Sequence, residues 1–177
     1  MEKFLFTLSL MMFGLTLFAQ TEQVDRQNEA KYLDSLFLAE MMFRREVDDF
    51  TNEIKIDCPV LGTPARTVHL IKTINRGKVQ YFMRLMTQGS SVVVDGKGVY
   101  ILFTNGTKLM KEGAKVTVDT DHNGYSYSAF LLLTSSDLKI LASKNIKKFR
   151  LYIFDGELNE RESEQFRIYA KNIVLTK

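Results

Sequence analysis

Apolar residues recur along this chain with two different periods, and the change falls near Phe50. Upstream, Leu33, Leu36, Phe37, Phe43, Val47 and Phe50 stand at spacings of three, four and seven, interrupted by Glu40, Arg44 and Asp48. That spacing predicts an amphipathic helix over residues 28–49. Leu38, Met41 and Met42 widen its apolar stripe beyond one face, as expected of a helix that sinks into the fold or also touches a partner.

Downstream the period is two. "NEIKIDC" alternates Ile54 and Ile56 with Lys55 and Asp57 and reads as a strand with one wet face, after which Pro59, Gly62 and Pro64 break the chain. "TVHLIKTI" and "KVQYFMRLMTQ" flank "NRGK", and "GVYILFT" and "TKLM" flank Asn105-Gly106; both arrangements predict hairpins. "KVTV" and "YSYSAFLLLT" are further strands. The apolar run Ala129–Leu133 in the second predicts that both its faces are covered. "SSDLKILASKN" reads as a short helix capped by Ser135 or Ser136. "IKKFRLYIFD" reads as one strand ended by Gly156, and Phe166, Tyr169, Ala170, Ile173 and Val174 keep helical spacing in a C-terminal helix over about 160–174. The expected fold is α+β: a mostly antiparallel meandering sheet of six to eight strands, covered on one face by a long N-terminal, a short internal and a C-terminal helix.

Residues 1–19 place Lys3 before an almost unbroken apolar run from Phe4 to Phe18, ending in Ala19. The run is shorter than the roughly 20 residues of a spanning helix, and its layout is that of a cleaved secretory signal. Removing 19 residues from 177 leaves 158, one α+β domain over 20–177 with its sheet-rich part at about 52–155. The expected location is periplasmic or extracellular, with no stable membrane insertion after cleavage. Lys3 and Glu2 leave with the signal, so the net charge stays +3. The basic clusters, Arg44-Arg45 and Lys147-Lys148, are short, so nucleic acid is not an expected partner. Cys58 is the only cysteine, and no disulfide can form within the chain.

Candidate chemistry concentrates in "DTDHNG". Asp119, Asp121 and Asn123, closed by Gly124, match the first half of a calcium loop. The position of the closing bidentate glutamate holds Phe130 instead, so a polar hairpin end is the plainer reading of the same residues. His122 would serve zinc only if another nitrogen or sulfur ligand converged. Cys58 would be a nucleophile only with a base such as His69 beside it. "DGKG" at 95–98 precedes a strand rather than a helix and is a turn; Ser90-Ser91 lack the pattern of a nucleophile elbow. Glu40 is the one acid in an apolar setting. No cofactor is expected, and enzymatic activity is not. Tyr81, Tyr100, Tyr125, Tyr127 and Tyr152 all fall on expected strands, as a platform for sugars or peptides would require and as core-edge packing would equally explain.

"GVYILFTNGTKL", "YSYSAFLLL" and "KKFRLYIFDGELNERESEQFRIYAKNI" together resemble a group of uncharacterised exported proteins of Bacteroidetes, over about residues 65–177. The resemblance implies a fold and transfers no catalytic or binding residue. Two functional readings follow: a noncatalytic exported protein of the cell envelope that binds a protein or glycan partner, or a small-ligand or weak calcium-binding protein that uses the 119–124 loop.

Overall fold

A computed structural model describes residues 41–92, 96–121 and 124–176, all within the compact unit Ala39–Lys177. Eleven strands and two helices are present among the described residues. They follow the order β1 Arg44–Val47, β2 Ile54–Asp57, β3 Leu61–Thr63, β4 Arg66–Asn75, β5 Lys78–Gly89, β6 Lys97–Phe103, β7 Lys108–Lys115, β8 Thr117–Asp121, β9 Gly124–Leu133, α1 Ser135–Ser143, β10 Ile146–Leu151, β11 Phe154–Glu157 and α2 Glu160–Asn172. All pairings are antiparallel. β1-β2-β4-β5-β9-β8 form one sheet, with β3 also paired to β4, and β11-β10-β6-β7 form a second.

This corrects the expected fold class in three respects. The described residues contain no long N-terminal helix. Of the expected helix 28–49, only Met41-Met42 is helical among the described residues, and the stretch 44–47 is a strand; 28–40 lies outside the described residues. The helical period loses to tertiary context here, because Phe43 enters the core edge-on to Tyr169 and Arg44–Val47 pairs with the otherwise bare edge of β2. Asp48 then turns the chain, its Oδ1 accepting the amides of Phe50 and Thr51 at 2.9 and 2.7 Å. Secondly, there are two sheets rather than one. Thirdly, the expected strand 146–155 is a hairpin that folds back at Tyr152-Ile153, pairing Leu151 with Phe154.

The predicted hairpins form. Arg76 and Gly77 both have positive φ, +48° and +78°, as a two-residue type I′ turn requires. Gly106 closes the second, its amide donating to the Phe103 carbonyl at 3.0 Å. The cap of α1 is Thr134 rather than Ser135 or Ser136; its hydroxyl accepts the Asp137 amide, and Asp137 returns a bond to the Thr134 amide. Asn159 and Glu162 form the same reciprocal cap on α2.

The core lies between the sheets. The inward residues of the large sheet include Val68, Leu70, Met83, Leu85, Tyr127, Ala129 and Leu131. Val99, Ile101, Phe103, Phe149 and Leu151 of the small sheet close over the β5-β9 side. Over the β4 side lies α2, tied at its start by Arg66–Glu162 (3.0 Å) and at its end by Lys72, whose Nζ donates to the carbonyls of Ile173 and Thr176. No described element covers the opposite face of the large sheet. Phe130 and Leu132 are 58% and 55% exposed there, so the apolar run 129–133 is not covered on both sides. Phe130 shields itself by stacking on Phe82, ring centroids 4.9 Å apart. Among the described residues no helix is long and apolar enough to cross a membrane.

Candidate functional site

The outward face of the small sheet is concave. Strand alternation turns Val99, Ile101 and Phe103 inward and leaves Tyr100 and Leu102 outward on β6. The register lines their neighbours up in two rows across all four strands: Met110, Tyr100, Arg150 and Asp155 in one, Lys108, Leu102, Lys148 and Glu157 in the next. With Tyr152 these residues, Glu157 excepted, line a concavity of about 530 Å³. Met110 is 53% and Tyr152 39% exposed.

Two glycines hold the two rings. Gly98 has φ +101°, and a Cβ there would lie 3.0 Å from the Tyr100 ring; at Gly96 a Cβ would lie 3.3 Å from Tyr152. Each tyrosine therefore rests on backbone that carries no side chain. Gly96 and Gly98 of "DGKG" are thus the bed of the aromatic pair; Lys97 and Gly98 belong to β6 rather than to the expected turn, and Asp95 lies outside the described residues. Tyr152 itself has φ +57°, a region bulky residues rarely occupy, at the first position of a two-residue hairpin where glycine is usual. Its amide donates to the Gly98 carbonyl at 2.9 Å, fastening the turn to β6.

Charge on this face is uneven. Arg150 grips Asp155 through both oxygens, at 2.5 and 2.9 Å, and Lys148 reaches one of them at 3.2 Å. The Arg150 hydrogen bond first, and Lys148 after it, hold the Asp155 carboxyl below its ordinary range. Lys108 has no ion-pair partner among the described residues. The lining therefore sets three cations against one carboxylate.

The residues singled out from sequence are distributed differently. Asp119 and Asp121 sit in the edge strand β8, opposite Ser126 and Gly124 in extended backbone. Asn123 and His122 lie outside the described residues, as does Glu40. Among the described residues no three His, Cys, Asp or Glu side chains cluster as a metal site would require. Tyr81, Tyr125 and Tyr127 lie on the inward side of the large sheet, Tyr127 stacked on Phe154 at 4.3 Å, so of the five tyrosines only Tyr100 and Tyr152 share an exposed face. Ser91 serves through its carbonyl, which accepts the Tyr127 hydroxyl.

Cys58 and His69 come close in the fold without forming a nucleophile and base. Cys58 belongs to the core, its sulfur accepting the Leu70 amide, and burial pushes its thiol up to about 12. His69 stands 3.4 Å from Asp57, and burial holds its imidazole below the usual value, although Asp57 pulls the other way. The Cys58 sulfur is engaged by the Leu70 amide inside the core and makes no hydrogen bond to His69, so the imidazole is not placed to take its proton.

The basic and aromatic face was missed in sequence because it depends on register, which places Lys108, Tyr100 and Arg150 side by side from three separate strands. No protein-family model, no curated protein and no solved structure matches this chain.

Proposed function

We propose that this is an exported, noncatalytic binding protein of the cell envelope whose recognition surface for a glycan or protein partner is the outward face of β11-β10-β6-β7. The leader-like residues 1–19 are the basis for export. The observation that carries the reading is Tyr152. A large aromatic residue occupies a left-handed turn position at which glycine would relieve strain, and its ring lines a concavity beside a second glycine-bedded tyrosine. Local strain kept at an exposed aromatic position is characteristic of binding sites rather than of packing. The inert state of Cys58 supports the noncatalytic part of the proposal.

The test is a panel of immobilised polysaccharides and purified envelope proteins, probed with wild type and with a Tyr100→Ala, Tyr152→Gly double variant. The expected result is a component whose retention falls at least about tenfold in the double variant while its melting temperature is kept. Retention equal in both proteins, or none at all, would refute the reading.

A further inference from the structure

Resting on the reading of this face as a recognition surface, we infer that its ligand is an anionic polysaccharide, with sugar rings on Tyr100 and Tyr152 and acid groups at Lys108 and Lys148. Lys108 and Lys148 flank Leu102 on the two neighbouring strands, so their backbones stand about 10 Å apart, two strand spacings. The Tyr100 row runs beside them, about 7 Å along the strands. Cations therefore sit to either side of an apolar floor and next to aromatic rings, as a chain of sugars with repeated carboxylates or sulfates would match. Tyrosine faces carry partial negative charge and favour the C–H groups of a pyranose.

The electrostatics leave room for an incoming acid. Arg150 already engages both oxygens of Asp155, and Lys148 makes the longest of the three contacts with it, so Lys148 can turn to a ligand without unpairing Asp155. Lys108 needs no rearrangement. Glu157, opposite Lys148 in the ladder, is exposed and does not line the concavity. The surplus of positive charge draws a polyanion in. An extended peptide adds most readily to a strand edge, whereas this concavity lies on the face, between the edges β11 and β7.

Titration calorimetry of the full chain with polygalacturonate, with neutral amylose and with poly-L-glutamate tests the inference. Polygalacturonate is expected to bind, and to bind at least about tenfold more weakly to Lys108→Gln, Lys148→Gln protein and at ionic strength raised from about 0.05 to about 0.5 M. Amylose binding that matches polygalacturonate and survives the lysine substitutions would overturn the inference while leaving the recognition face in place. Poly-L-glutamate binding as tightly as the uronate polymer would also overturn it, because charge alone would then suffice. No binding of any probe would overturn the inference and leave the recognition face to the panel of envelope components, whereas binding that persists in the Tyr100→Ala, Tyr152→Gly variant would remove both the inference and the reading beneath it.

Discussion

Tyr152 and Cys58 show two ways in which a single residue departs from what its neighbours in sequence advertise. In "RLYIFD" nothing marks a turn, since Tyr152 and Ile153 are ordinary strand formers, yet the backbone reverses there with Tyr152 at φ +57°. A side chain in that region costs about 1 kcal/mol. Tyr152→Gly should accordingly leave stability unchanged or raise it by up to about 1 kcal/mol, as read from urea unfolding. A clear loss of stability would show that the ring is there for packing. For Cys58, a thiol raised to about 12 and inside the core stays protonated at physiological pH. Native protein should resist iodoacetamide at about pH 8 and react only once urea unfolds it, a contrast that intact-mass spectrometry resolves.

At the scale of elements, the hairpins at 75–78 and 105–106 and the two described helices were readable because their chemistry is local, although the capping residues Thr134 and Asn159 were not picked out. Asn105-Gly106 and Arg76-Gly77 need positive φ from a residue or two, and Asn159 with Glu162 closes a helix start within four positions. The cap of α1 fell one residue earlier than expected, because Asp137 sits three positions after Thr134 and completes a reciprocal pair there. Asp137 also receives Lys111 at 2.7 Å. Burial alone would raise its carboxyl, but the hydrogen bonds from Lys111 and Thr134 outweigh burial and leave it below the ordinary 3.8. A carboxyl lowered by folding contributes stability above its unfolded value and loses it as pH falls through the folded value. Asp137→Ala should therefore cost about 2 kcal/mol at neutral pH, and the gap to wild type should close in acid, below the folded value. Urea titrations at the two pH values would show it, and a gap independent of pH would mean that the side chain acts by shape alone. The N-terminal expectation failed at this scale for the opposite reason. The stripe through Phe43 and Val47 is consistent with a helix, but residues 44–47 gain ladder hydrogen bonds with β2 that a helix would forgo.

At the scale of the whole described unit, the large sheet has two very different faces made from the same strands. On β5 and β9, Leu85 is fully buried between layers while Phe130, one strand over, faces out. Leu85→Ala should cost about 3 kcal/mol, whereas Phe130→Ala, which loses only part of a stack with Phe82, should cost about 1 kcal/mol. Equal costs in thermal or urea unfolding would mean that a further layer covers the outer face in solution. Nothing in "AFLLL" distinguishes buried Ala129, Leu131 and Leu133 from exposed Phe130 and Leu132, since alternation is erased when both positions are apolar.

By itself the sequence determined which segments extend, where most of them reverse and where the two described helices begin, because these depend on contacts within a few residues. It also placed the aromatic and basic residues of the candidate site on strands, without showing that they meet. Only the tertiary structure decided that the strands divide into two layers, that residues 44–47 join a sheet edge and that Tyr100, Tyr152, Lys108 and Lys148 share one concavity. Strand neighbours are chosen by long-range register and by which face finds a covering layer, and neither is encoded in any short stretch of chain.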